Sequence, residues 1–454
     1  MVSRCSFPIT CATFRVPAAG RSSITRGPKS VADGTPPVLT AGVHIGIRTG
    51  LGAGFWRLWP ASALSDLGYG IGVAATPLLA VSLTDDPIPV TLLSSLLFLP
   101  WLLFALPVGA LVDRWDRRRT MALANSARAL VIAGLTVLIV TDTVGIGLLY
   151  VAAALLGTAE VFYDQAARAI LPEVVAPDQL DRGNSWLSGA EMVGQLFVGG
   201  PIGAALFAWW DASPFAGMAI GFAVSAAVVS TLPRRSTPVP RAGTSLRSEI
   251  AEGLRWLRGH ALIRGLTAAS ALTAGLGAMF NALLVLYALQ VLRLPEAGFG
   301  ILLVAGGIGG VAGALAATPL VRLCGRSGAL AVGACLSPIG VVVIALVDTT
   351  WIACLLMGLG TASITVWNVV FMSLRQAIVP ERLFGRVLGV YRTVIWGGIP
   401  VGALAGGVLA EFTSVSTALL CSGAGQALVA VRIVQLLRRH REIVDAGVTR
   451  PTDP

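Results

Sequence analysis

Hydrophobic residues in this chain gather into long runs separated by short polar breaks. From Phe55 onward twelve runs follow one another: 55–83, 90–112, 120–141, 146–168, 184–209, 214–232, 262–291, 297–320, 328–347, 351–373, 386–410 and 415–437. Each predicts a helix long enough for a bilayer core of about 30 Å at about 1.5 Å per residue. Most are apolar all round rather than striped, the pattern of helices solvated by lipid and by one another.

The polar breaks alternate in charge. One set carries Arg114, Arg117, Arg118 and Arg119; then Arg168 and Arg182; seven arginines from Arg234 to Arg264; Arg322 and Arg326; and Arg375, Arg382 and Arg386. The other carries Asp85, Asp86, Asp142, Asp211, Asp348 and Glu411, with Arg293 as its one basic residue. Arginine-rich loops remain cytoplasmic, so both termini are expected there. The longest loop divides the helices six and six. In it Leu246, Ile250, Leu254 and Leu257 recur at helical spacing with Arg247, Arg255 and Arg258 off the stripe, predicting an amphipathic helix on the inner membrane surface.

Repetition supports the division. GALV at 109–112 returns as GALA at 313–316, VAPDQL at 175–180 as IVPERL at 378–383, and GGPIGA at 199–204 as GIPVGA at 398–403. Such parallel repeats predict an all-α membrane protein with twelve transmembrane helices in two six-helix pseudo-repeat bundles. The expected organisation is a disordered cytoplasmic tail (1–54), an N-terminal bundle (55–232), a linker with the amphipathic helix (233–261), a C-terminal bundle (262–437) and a cytoplasmic tail (438–454).

Composition agrees: 55% of residues are hydrophobic and 12% charged, against about 25% charged in an average soluble protein. The net charge of +10 sits in short clusters at helix ends and forms no nucleic-acid patch. Six scattered cysteines and three histidines supply no metal-ligand spacing. No GxxxxGK[ST] loop and no HExxH or GxSxG within a span point to ATP drive or catalysis, so neither enzyme activity nor a cofactor is expected. One lysine among 33 basic residues, with abundant alanine, suggests a GC-rich bacterial genome and a multi-pass place in the bacterial inner membrane.

The loop GALVDRWDRRR, Gly109 to Arg119, joins the second and third helices. Glycine allows close helix approach, Asp113 can accept hydrogen bonds from a neighbouring helix N-terminus, and arginines suit anionic headgroups. Gly109, Leu111, Asp113, Arg114, Arg117 and Arg118 resemble the signature loop of the major facilitator superfamily. Asp116 stands where many members have glycine. DRWDRRR, LPEVVAPDQL and SLRQAIVPERLFGRVLGVYR resemble the branch containing the enterobactin exporter and macrolide efflux pumps. The resemblance implies that Asp113 braces the start of the eleventh helix, where Arg386 and Arg392 are the available cations. Ala317 replaces the acid in the second half. Gly200 and Pro201, with Pro400 in the repeat, resemble the antiporter signature and let helices bend.

Charges inside spans are functional candidates. At about 1.5 Å per residue, Arg128, Glu160, Glu191 and Arg392 lie about 10 to 12 Å in, and Asp66 about 16 Å in, near the midplane. Asp164 and Arg168 can pair at four-residue spacing, and Glu160 or Glu191 can meet Arg128. These groups read as a gate network. Asp66 has no partner within four residues of its own span and is the first candidate for loading and releasing a proton, with Glu160 and Glu191 behind it. The family often carries this acid where this chain has Tyr69. Phe162, Gln195, Asn281, Trp367 and Asn368 are candidates to line a substrate cavity. The expected function is export of a small amphipathic molecule (drug, siderophore or metabolite) in exchange for protons. Uptake, lipid flipping or a membrane sensor are the alternatives. Membrane lipids are the surroundings, and a monomer suffices for the fold.

Overall fold

The computed structural model describes residues 50–112, 114–233 and 246–446. Asp113, the tail to residue 49, the linker 234–245 and residues beyond 446 lie outside them, as do the side chains of Leu246, Arg247 and Ile250. Every regular element described is helical. The N-terminal half holds α1 (Gly52–Leu83), α2 (Pro87–Val112), α3 (Arg117–Val140), α4 (Ile146–Val174), α5 (Leu180–Glu191), α6 (Gly200–Trp209) and α7 (Ser213–Ser230). After α8 (Leu246–Gly259) come α9 (Ala261–Leu286), α10 (Glu296–Leu346), α11 (Thr350–Ile378), α12 (Glu381–Phe412), α13 (Val415–Arg439) and α14 (Arg441–Ala446).

Eleven helices among the described residues are long and apolar enough to cross a membrane. One of them, α10, has 51 residues. At about 1.5 Å per residue it would be roughly 76 Å long, more than two bilayer cores. Gly325 breaks it, with φ 74 and ψ 172, a conformation that strains any residue with a Cβ. The chain therefore turns there, and the described residues make twelve crossings, as the hydrophobic runs predicted.

The fifth crossing is composite. A π-helical stretch, Met192–Gly199, joins α5 to α6. Pro201 has no N–H, and its ring crowds the carbonyl four residues earlier, so the helix widens just before it. Gly200, Pro201 and Pro400 were all expected to bend helices. The widened turn stands beside the first pair, whereas Pro400 lies inside a continuous α12.

Close backbone packing organises each half. A Cβ at Gly199 would lie 2.6 Å from the Gly70 backbone, and one at Gly203 2.4 Å from the Ile71 carbonyl. This seam joins α1 to the fifth crossing. Its counterpart joins α9 to α12, where a Cβ at Gly402 would lie 1.9 Å from the Gly275 carbonyl. Gly109 behaves otherwise: its nearest neighbour would be Gln165 Oε1 at 4.0 Å, so the close approach expected there is absent from this conformation.

The loop arginines also differ from expectation. Arg117 Nη1 donates to the Ala169 carbonyl (3.0 Å) and pairs with Glu173, while Arg118 Nη1 donates to the Leu232 carbonyl (2.6 Å). Both tie neighbouring helix ends, where carbonyls attract cations, leaving Arg114 and Arg119 exposed. Asp116 caps α3 by accepting from the Arg119 N–H (3.1 Å) with extended φ/ψ, so glycine's freedom is not required.

On α8, Leu257 is buried, and Leu254 and Trp256 pack on the C-terminal half. Glu252 holds Arg382 (3.0 Å) and Arg386. The short α14 buries Val444, and Asp445 accepts from the Ser327 N–H (2.9 Å) and Oγ (3.0 Å), just past the Gly325 turn.

The apolar core is asymmetric. Away from the arginine-rich face one cluster runs through both halves, including Leu78, Phe207, Phe215, Leu283, Phe299 and Leu419. At the arginine-rich face each half has its own cluster, around Phe55, Met121 and Ile170 in one and Leu266, Phe371 and Ile433 in the other.

Candidate functional site

Among the described residues two hydrogen bonds join the halves away from the arginine-rich face: Gln290 Nε2 to the Asp85 carbonyl (3.2 Å) and Ser95 Oγ to the Pro400 carbonyl (2.9 Å). The α2–α12 contact reaches mid-depth, where the Trp101 and Trp396 rings lie 4.4 Å apart. Below it a cavity of about 870 Å³ separates the bundles, lined from Pro77 and Phe299 at one end to Arg375, Leu388 and Arg392 at the other. Asn281, Trp367 and Asn368 line it as expected.

Phe162 and Gln195 do not. Phe162 stacks on Trp115 (6.1 Å, 9°) in a separate groove between α3 and α4. Gln195 sits on the π-helical turn and donates from Nε2 to Asp66 Oδ1 (3.0 Å). The glycine seam permits this, because a Cβ at Gly194 would lie 3.0 Å from the Leu67 N and 3.1 Å from the Asp66 carbonyl carbon. Asp66 is thus half-buried behind the cavity wall, with a partner on another helix. Tyr69, one turn on, faces the cavity itself.

Arg128 is 2% exposed. It pairs with Glu160, and its Nη1 donates to Ser65 Oγ (3.0 Å) and Asn125 Oδ1 (2.9 Å). The Tyr163 and Phe222 rings flank its guanidinium at 5.1 and 5.0 Å. Asn125 Nδ2 in turn donates to Ser225 Oγ (2.8 Å), which donates to the Ala61 carbonyl (2.6 Å). One charge pair at the cavity wall, Arg128 with Glu160, and a run of hydroxyl and amide groups therefore tie α1, α3, α4 and α7 together. Of the two acids considered for Arg128, the geometry selects Glu160.

Glu191 instead faces Arg168 (3.6 Å), which chelates both Asp164 oxygens through Nε at 2.9 Å. Arg386 pairs with Glu252, and Arg392 is exposed at the cavity's arginine-rich end. Since Asp113 lies outside the described residues, its brace is not defined.

Arg375 was expected in a cytoplasmic loop. It lies inside α11, which continues to Ile378, and it is 6% exposed while lining the cavity. Its guanidinium lies over the Tyr391 ring at 3.7 Å and near the Phe371 ring at 4.7 Å. An apolar run ending at 373 concealed this position; the helical spacing of Phe371, Arg375 and Ile378 was the available signal.

Comparison with known proteins places these features in context. The family model described as transmembrane secretion effector matches residues 52–450. The multidrug efflux pump Tap of Mycolicibacterium fortuitum is 26% identical over 405 residues, covering 84% of this chain and 95% of that protein. Macrolide efflux protein A of Streptococcus pyogenes is 23% identical over 211 residues, 45% of this chain and 51% of that one. An uncharacterized MFS-type transporter of Mycobacterium tuberculosis is 34% identical, but the match spans only 29% of this chain and 30% of that relative. Among solved structures, the nucleoside transporter NupG superposes with a TM-score of 0.68 at 12% identity, covering 85% of this chain and 99% of that one.

Proposed function

Because the chain belongs to the transmembrane secretion effector family of the major facilitator superfamily and is a multi-pass transporter, we propose that it exports a small amphipathic molecule in exchange for protons. The observation that carries this reading is the cavity of about 870 Å³ between the two bundles. On one side of it the core is continuous, and on the other it is split. Rocking the bundles would exchange the two sides, which is alternating access around a midplane site. The arginine-rich face is taken as cytoplasmic, so this conformation presents the cavity to the cell interior. Efflux by Tap and by macrolide efflux protein A supports the outward direction.

Asp66 is the proposed proton carrier. Its carboxylate accepts from Gln195 on the π-helical turn. A protonated Asp66 keeps a carbonyl oxygen to accept from Gln195 but loses its charge and gains an O–H donor, so loading a proton weakens and rearranges the link between α1 and the most irregular part of the fifth crossing. Glu160 and Glu191 are already engaged by arginines, which supports a gate role for them and leaves Asp66 the first candidate for the proton. The test is proton flux in inverted vesicles carrying an imposed gradient, with wild type and Asp66→Asn side by side. Candidate drugs should collapse the gradient in wild type and not in the variant, which should still insert. Full proton-driven transport by Asp66→Asn would remove Asp66 from the mechanism.

A further inference from the structure

The cavity carries an uneven charge. Its lining holds three arginines, Arg128, Arg375 and Arg392, against one carboxylate, Glu160. Arg128 and Arg375 are both nearly inaccessible, yet Arg128 has Glu160 and two hydrogen-bond acceptors. Arg375 has no carboxylate partner among the described residues. Its Nη2 reaches Met372 Sδ (3.4 Å), a weak acceptor, and a further polar neighbour is the uncharged Tyr391 side chain. Nε and Nη1 are buried without a hydrogen bond. The Tyr391 and Phe371 rings stabilise the cation through their faces and leave those donors free.

A buried guanidinium is costly unless something supplies its counter-charge. We propose that Arg375 is the cation of an anion-binding site, and that the molecules taken up by the cavity are amphipathic organic anions. A carboxylate or phosphate group accepts from Arg375, with the exposed Arg392 attracting it from the arginine-rich end. The apolar body lies along Trp367, Trp396 and Ile399, which line the same cavity. This substrate class rests on the export reading above.

The experiment uses full-length protein in neutral-lipid nanodiscs and three probes with one body: 1-pyrenebutyrate, 1-pyrenebutanol and 1-pyrenebutylamine. Energy transfer from tryptophan reports binding, with empty nanodiscs as reference. Wild type should bind the butyrate at least about tenfold more tightly than the alcohol, as expected for a charge-assisted contact, and the amine least. Arg375→Met should bring the butyrate-to-alcohol ratio to about one with alcohol binding unchanged. A wild-type ratio near one, or a ratio surviving in Arg375→Met, overturns the proposal. If that variant binds neither probe, phenylglyoxal labelling of wild type decides. Pyrenebutyrate, and not pyrenebutanol, should protect Arg375, and absence of protection overturns the site. Displacement by dioctanoylphosphatidylglycerol but not by hexanoate would assign the anion to a lipid headgroup, and the reverse to a soluble metabolite. Binding is read without a gradient, so failure of the export reading would leave the preference intact while transport is absent. Failure of the anion site would remove the preference while drug-driven proton flux persists.

Discussion

At the scale of single residues, the strongest constraint is the cost of leaving a charge alone. Arg128→Ala strands Glu160, 14% exposed, among apolar neighbours. Breaking a buried pair in this way costs about 3–5 kcal/mol, so thermal unfolding in detergent should show a large loss. Adding Glu160→Gln to that variant should recover most of it. Beside the Gly325 turn in the C-terminal half, Asp445 obeys milder rules. Partial burial pushes its carboxyl up, but hydrogen bonds from Ser327 and Arg441 outweigh this and hold it below the ordinary carboxylate range. Its contribution is present above the ordinary carboxylate pKa and lost as pH falls through the lower folded value. Hydrogen exchange at the Ser327 amide should therefore gain an acid-dependent opening as pH falls below the ordinary carboxylate pKa of about 4. Asp445→Asn should leave that step flat.

At the scale of elements, glycine decides which helices can touch. A leucine at Gly402 would place its Cβ 1.9 Å from a backbone carbonyl, so α9 and α12 must part. Gly402→Leu is expected to cost more than the about 1–3 kcal/mol of ordinary overpacking and to lower the yield of folded protein in a fluorescence-detected sizing assay. Helix count was legible in the sequence because apolar runs of bilayer length have few alternatives. The two runs around Gly325 are one nearly continuous helical stretch in the structure, yet a backbone turn divides them where the sequence has a polar break. Partners were legible where they lay one turn apart, as with Asp164 and Arg168. Gln195 lies 129 positions from Asp66, and nothing local to either residue marks the pair. Arg375 was misplaced because α11 extends past its apolar run, carrying a loop-like charge into the cavity wall. Phe162 was misassigned because spans apolar all round leave helical phase undetermined.

At the scale of the whole molecule, the continuous core and the Gln290–Asp85 contact hold one side shut. Cysteines placed at 85 and 290, in a background with the native cysteines replaced, should cross-link readily and arrest turnover, with reducing agent restoring it. Transport at the full rate in the cross-linked protein would mean that this side never opens. The glycine seams bear on how the two halves arose. Gly203 against Ile71 in one, and Gly402 against Gly275 in the other, build the same backbone contact twice. Acids within the spans, Asp66, Glu160, Asp164 and Glu191, belong to the first half, and Arg375, without a carboxylate partner among the described residues, to the second. An ancestral duplication would thus have kept its mechanics in both copies while their chemistry diverged. If Asp66 carries the proton and Arg375 the cargo, as proposed, neither copy can stand in for the other, and selection on what is carried can act on one half while the other goes on supplying the drive.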